Sequence, residues 1–195
     1  LPGVVIDRYR DVLAVQILTL GMEALANLVR EVLESLLAPR GVLRIADSPL
    51  RSLEGLPLER AVWWGEVPER IEVEVDGFKV EADLHHGQKT GLFLDQRVNR
   101  RRAEARARGQ RVLDLFCYQG EWSLHAARGG ARSVLAVDSS EPALAAAARN
   151  LERNGLAANV TLKRADAFDA ARDLERAGER FGVAILDPPA LVKSR

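Results

Sequence analysis

Four aspartates are placed where they could do chemistry. Asp114 interrupts the apolar run Val112-Leu-Asp-Leu115, and Asp138, Asp166 and Asp187 closely follow the runs Ser133-Val-Leu-Ala-Val137, Val160-Thr-Leu162 and Phe181-Gly-Val-Ala-Ile-Leu186. Ligands of open α/β sheets collect outside the carboxyl ends of the strands. A carboxylate there can accept hydrogen bonds from ribose hydroxyls or meet an ammonium. One such acid is commonly a helix cap, but four in register are hard to explain as caps. After Asp114 comes a turn, Phe116-Cys-Tyr-Gln-Gly120, and Asp138 follows 24 residues beyond Asp114. An acid about 20 residues past the first strand–turn unit is placed to hold a ribose. Dinucleotide sites need three glycines so that backbone can approach a pyrophosphate. Here only Gly120 lies in the turn, beside bulky Phe116 and Tyr118. That suits an uncharged adenosine carrying an amino-acid tail, whose ammonium Asp114 could meet. S-adenosylmethionine fits this better than a nicotinamide dinucleotide, which stays as an alternative together with a sheet that binds another ligand or none.

The elements that must hold these residues follow a regular alternation. The run ending at Leu115 leads through its turn into a helical segment, Trp122–Arg128. Ser139-Ser-Glu-Pro142 starts a helix with hydroxyl caps, an acid and an early proline, and Gly155 suits its end. Asp169–Gly178 is predicted as a third helix, before the run 181–186. Four strands separated by helices predict a parallel sheet with right-handed crossovers.

Upstream the pattern changes. Val4-Val-Ile6, a polar turn Asp7–Asp11 and Val12–Leu18 read as a hairpin broken by Gly21. Met22–Leu37 has helical spacing and is stopped by Pro39 and Gly41. Val42–Ile45 and Val62–Trp64 are short strands, and Asp76-Gly77 turns 71–75 back onto 78–82 as an antiparallel pair. Residues 1–84 are therefore expected as a small α+β domain (hairpin, helix, antiparallel hairpin) without a catalytic cluster, and 85–195 as a Rossmann-like domain. His85-His86 has no ligand pattern around it, so no metal is expected. Gly87-Gln-Lys-Thr-Gly91 lacks the earlier glycine of a phosphate loop.

The chain has 195 residues, 47% of them hydrophobic, and a formal net charge of zero. That allows one or two domains with a sizeable core. No apolar run approaches the ~20 residues of a membrane span, and nothing at the start reads as a signal peptide. The single cysteine, Cys117, excludes an internal disulfide and fits a reducing, cytoplasmic setting. It reads as a small buried filler rather than a nucleophile. Without a global basic field, composition does not advertise nucleic acid. Arg97, Arg100, Arg101, Arg102, Arg106, Arg108 and Arg111 nevertheless crowd together, either as a solvated helix face or as part of an RNA track.

These motifs carry a resemblance. Gly87-Gln-Lys-Thr-Gly-Leu-Phe-Leu-Asp-Gln-Arg97 is the narrowest of them; Asp114-Leu-Phe-Cys-Tyr-Gln-Gly120, Val137-Asp-Ser139 and Asp187-Pro-Pro189 are shared more widely. Together the chain resembles the bacterial class I methyltransferases that make 5-methylcytosine in 23S ribosomal RNA. The resemblance implies an α/β, Rossmann-like methyltransferase sheet and S-adenosylmethionine as cofactor. It places Phe116, Tyr118 and Gly120 along the methionine side with Asp114 beneath, Asp138 on the ribose, and Ser139, Asp166 and Ala167 at the adenine. Phe93, Asp95, Gln96 and Arg97 would close from the other side. Asp187 would hydrogen-bond the target cytosine, with Pro188 and Pro189 fixing the loop. Ribosomal RNA is the implied partner, and a homodimer is open. The chain departs from the pattern at Glu121, where a second glycine is frequent, and at Leu191, where an aromatic is common. The family's N-terminal RNA-binding domain, later strands and downstream nucleophilic cysteine fall outside these residues, so the sequence is expected to be a fragment of a longer protein. A non-catalytic RNA- or cofactor-binding module and a guanine-methylating relative are the other readings.

Overall fold

A computed structural model describes residues 2–189. The chain divides into two compact units, one of Leu1–Val73 with Glu81–Leu94, the other of Glu74–Val80 with Asp95–Arg195. Residues 85–94 thus group with the first unit, and the tip of the 70–83 hairpin with the second.

In the first unit, β1 (Val4–Tyr9) and β2 (Val12–Ile17) form the expected hairpin, but β1 runs on through Asp7–Tyr9 and the turn is only Arg10-Asp11. Tyr9 explains the extension: its ring is buried, and its hydroxyl lies 3.2 Å from Thr90 Oγ1 and accepts the Leu92 N–H. Gly21 does not break the chain. It lies inside α1 (Leu20–Ala24), which Thr19 caps, and the helical stretch breaks at Leu25 before α2 (Ala26–Leu37). That helix crosses over so that β3 (Gly41–Ala46) lies parallel to β2, and β4 (Glu59–Gly65) returns antiparallel, giving the order β1-β2-β3-β4. Leu13, Val15, Ile17, Leu33 and Val42 make its core. Beneath it the Arg51 guanidinium is fully buried, donating to the Ile17 and Pro57 carbonyls and to Glu23. β5 (Arg70–Val75) and β6 (Phe78–Asp83) are the predicted antiparallel pair. Asp76 and Gly77 both take left-handed backbone at their turn, as a two-residue hairpin requires.

The second unit opens with a 3-10 turn at Leu94–Gln96 that leads into α3 (Arg97–Arg106). Then follow β7 (Arg111–Leu115), α4 (Glu121–Arg128), β8 (Ser133–Asp138), α5 (Glu141–Arg153), β9 (Val160–Arg164), α6 (Ala167–Arg176) and β10 (Val183–Leu186). All the strands pair in parallel, in the order β10-β7-β8-β9. The reversal between β7's two neighbours, β8 and β10, is the topological switch point at which such sheets bind ligands. α6 begins two residues earlier than the sequence pattern predicts, because Asp166 caps it: its Oδ1 accepts both the Phe168 and Asp169 N–H groups. Val112, Ala126, Val134 and Ile185 fill one face of the sheet, and Leu113, Leu115, Val137 and Ala170 the other.

Candidate functional site

The second unit's sheet brings the four aspartates to one edge. Asp114 lies within β7, Asp138 ends β8, Asp166 sits between β9 and α6, and Asp187 follows β10. Their surroundings differ sharply.

Asp114 is fully buried. Ser123 Oγ on α4 donates to its Oδ2 at 2.6 Å, and its Oδ1 has no hydrogen-bond partner. Burial pushes the carboxyl up to about 7; the Ser123 hydrogen bond opposes this, Asp187 and Asp138 reinforce it, and Arg100 opposes it. A carboxylate oxygen left dry and unpaired is costly unless a donor arrives or the group takes a proton.

Asp138 organises the turn instead. Its Oδ2 accepts the Tyr118 N–H at 2.8 Å and its Oδ1 the Ser140 N–H at 2.9 Å. The turn it holds is strained. Phe116, Tyr118 and Gly120 all have positive φ, at 64°, 48° and 78°. Two non-glycine residues in that region cost on the order of 1 kcal/mol or more each, strain that persists only where surroundings over-determine it. They do so here: Cys117 N–H donates to Val137 O, Gly120 N–H to Cys117 O, and Asn150 of α5 donates to Gln119 O. Gly120 is required for space as well, since a Cβ there would lie 3.0 Å from that of Ala147 on α5. Cys117 is the buried filler expected, and burial drives its thiol well above the ordinary range.

Asp187 is oriented from α4, where the Trp122 indole N–H donates to its Oδ2 at 3.0 Å. Pro188 and Pro189 follow it and are exposed. Ser139 is exposed beyond β8, and Ala167 is buried at the start of α6. Beside it, half-exposed Phe168 packs its ring edge-on against Phe116, centroids 5.8 Å apart. The positions of Ala190 and Leu191 lie outside the described residues.

The upstream candidates divide. Phe93 falls in the first unit, with the Lys89 ammonium 4.4 Å from its ring centroid. Asp95 and Gln96 form the 3-10 turn that starts the second unit's main segment. Arg97 is taken up by a network no motif revealed. Its guanidinium donates twice to Asp76 Oδ1, at 3.2 and 2.7 Å, and Arg101 donates to the same oxygen. The Asp76 side chain is only 1% exposed. Burial alone would raise its carboxyl, but the hydrogen bonds and charges of Arg97 and Arg101 outweigh that and hold it low. Arg128 adds a bond to the Asp76 carbonyl, stacks on Phe78 and pairs with Glu104, which also meets His125 Nδ1.

Part of the arginine cluster is thus engaged within the fold, although all of it but Arg100 is exposed. Arg100 is 2% exposed and makes a two-pronged pair with Glu121, both bonds 2.8 Å. Arg106 donates to Arg102 O and Arg111 to Glu179. Glu121 departs from the glycine frequent at its position because a buried guanidinium needs it. The 84–91 stretch is likewise no phosphate loop. Arg60 donates to the carbonyls of Leu84, His85, Gly87 and Lys89, and a Cβ on Gly87 would strike Asp83 O at 2.2 Å. Among the described residues no group of three His, Cys, Asp or Glu could hold a metal, and no helix is long and apolar enough to cross a membrane.

Residues 46–195 match the family described as S-adenosylmethionine-dependent methyltransferase. The chain belongs to that family. It is 40% identical over its whole length to ribosomal RNA large subunit methyltransferase I of Aeromonas hydrophila, covering 50% of that protein. A methyltransferase structure from Streptococcus mutans, described there as a proposed S-adenosylmethionine-dependent enzyme, matches 96% of the chain and 48% of its own, with 28% identity and a TM-score of 0.83. The solved structure of SMU.776, a proposed methyltransferase complexed with SAH, matches 98% of the chain and 49% of its own, at 28% identity and a TM-score of 0.85. The chain thus spans about half the length of the relatives it matches.

The site's residues fit the methyltransferase cofactor. The unpaired Asp114 Oδ1 lies under a turn whose backbone is already fixed, and it asks for a cationic donor. An amino-acid ammonium supplies one; a pyrophosphate would bring a further negative charge to a site that already holds Asp114, Asp138 and Asp187.

Proposed function

We propose that the protein of which this chain is part transfers a methyl group from S-adenosylmethionine to a base of 23S ribosomal RNA, most plainly C5 of a cytosine. The observation that carries the cofactor half of this reading is Asp114 Oδ1, buried without a partner beneath the strained 116–120 turn. The relatives that match the whole chain carry the ribosomal RNA half.

In this reading Asp114 meets the ammonium of the cofactor's amino-acid tail, the Phe116–Gly120 turn lies along the methionine, and Asp138 holds the ribose. Asp138's two oxygens already anchor the turn and the start of α5, and a carboxylate has about four lone-pair sites, so hydroxyls can be added without breaking either bond. Ser139, Asp166 and Ala167 border the adenine, and Asp95, Gln96 and Arg97 close over the cofactor from the other side. The bound cofactor supplies an electrophilic methyl on a sulfonium. Asp187, held by Trp122, accepts from the exocyclic amine of the target cytosine, and Pro188 and Pro189 stiffen the backbone that presents it. C5 of cytosine becomes nucleophilic when a thiolate adds to the ring. Cys117 is a poor source of it, since it is buried and burial pushes its thiol up. We place the protein in the cytoplasm with its ribosomal RNA, and leave a homodimer to sedimentation.

Calorimetric titration of S-adenosylmethionine into the chain, alongside Asp138→Ala, tests the cofactor site: binding that the substitution abolishes is expected. Transfer of a labelled methyl group to 23S ribosomal RNA by the intact protein tests the substrate, and no transfer would end this reading.

A further inference from the structure

The first unit contains an open cleft of about 690 Å³ lined by Arg8, Arg10, Arg40 and Arg70, with Asp11 and Glu72 the only acids on its walls. All four arginines are exposed. No aromatic side chain lines the cleft, so its flat groups are the guanidiniums themselves. The lining offers guanidiniums, the side chain best matched to phosphate oxygens.

The arginines come from three separate segments that the backbone fastens together. Arg10 and Asp11 form the β1–β2 turn, Arg40 precedes β3, and Arg70 begins β5. Arg40 N–H donates to Asp11 O at 2.7 Å, and Arg40 O accepts the Glu66 N–H. Arg10 has φ 58°, a turn position where Gly or Asn would cost less. Its side chain is what a glycine there would forfeit.

Two of them are held loosely: Arg40 faces Asp11 at 3.4 Å and Arg70 faces Glu81 at 3.7 Å, both between exposed or part-exposed groups, while Arg8 donates to the Arg10 carbonyl at 2.8 Å. Such exposed pairs are weak and exchange readily for phosphate. This contrasts with Arg100, which is buried in a two-pronged pair with Glu121.

We propose that this cleft grips the phosphodiester backbone of the substrate RNA. The proposal rests on the ribosomal RNA reading above. It adds a sequence-independent foothold on the first unit, in a chain whose net charge gives no general attraction. Contacts of this kind position the nucleic acid without reading its bases.

The test is fluorescence anisotropy of a labelled mixed-sequence RNA hairpin with the 195-residue chain, across a salt series, for wild type, Arg10→Gln/Arg40→Gln and Arg10→Glu/Arg40→Glu. Neutralising the pair should weaken binding roughly tenfold at low salt and lower the log–log salt slope by about 1.5–2, as two lost phosphate contacts would; reversal should weaken it further. Both variants should keep the wild-type melting profile and S-adenosylmethionine affinity, since neither residue is near that site in sequence or unit. Wild-type affinity and slope in both variants would overturn the proposal, as would no RNA binding by the wild type. Saturation of the cleft by inorganic phosphate or adenosine monophosphate at micromolar concentration would overturn it too, making it a small-anion site. Tight capture of an acidic protein with no RNA affinity would do the same. The substrate reading fails separately, through absent methyl transfer by the intact protein, whatever the arginines do.

Discussion

Asp114 carries two outcomes that a lone buried acid makes measurable. Its folded carboxyl ionises at about 7, against about 4 for an unfolded aspartate. Between those values the native state holds a proton that the unfolded state has released. The group's contribution to stability is therefore greatest at acid pH and is lost as pH rises through 7, a swing on the order of 4 kcal/mol. The urea midpoint of the wild type should fall between pH 4 and 7 relative to Asp114→Asn, in which this titration is gone; parallel profiles would refute it. When the ammonium of S-adenosylmethionine docks, the carboxyl must ionise. Calorimetry near pH 6 in buffers of different ionisation heat should then show release of close to one proton in the wild type and none in Asp114→Asn. At the neighbouring strand, Trp122→Phe keeps the packing and deletes one hydrogen bond to Asp187. In the intact protein it should lower kcat up to about tenfold, the worth of one such bond, with cofactor affinity unchanged.

At the scale of elements, the site depends on helices standing close to a crowded turn. Gly120→Ala brings a Cβ to 3.0 Å from Ala147 and forces alanine into left-handed backbone. Loss of at least tenfold in S-adenosylmethionine affinity is expected, and Ala147→Gly in the same chain should restore part of it by opening the space. α3 and α4 are joined by the buried Arg100–Glu121 pair. Arg100→Ala strands a buried carboxylate and should cost about 3–5 kcal/mol, whereas replacing both partners with apolar residues of similar size should cost far less; chemical denaturation distinguishes the two. The element order of the parallel sheet was legible because its strands are short apolar runs bounded by aspartates and glycines. The acids themselves were only half legible. Asp138 and Asp166 do cap and anchor local backbone, which a pattern of strand-end acids does not reveal. Most of the arginine cluster is exposed, as a solvated helix face would be; what the sequence hid is that Arg100 is buried and Arg97 pinned, because their partners lie 21 residues away in sequence. Helix periodicity over 22–37 concealed the break at Leu25, and parallel pairing of β2 with β3 has no local signature.

At the scale of the whole chain, the two units share one hairpin. The chain passes between them at 73/74, at 80/81 and again at 94/95. What this means is clearest as a matter of timing on the ribosome. Asp76 is made 21 residues before Arg97 and 25 before Arg101, and 52 before Arg128, which binds its carbonyl. At roughly 5–20 residues per second, about one to several seconds pass before the first of these cations has even been synthesised. By then Glu81–Leu94 has followed, and every residue of the first unit exists. Every residue of the first unit is thus synthesised before any of the cations that Asp76 binds, and the length of that interval is set by the rate of translation.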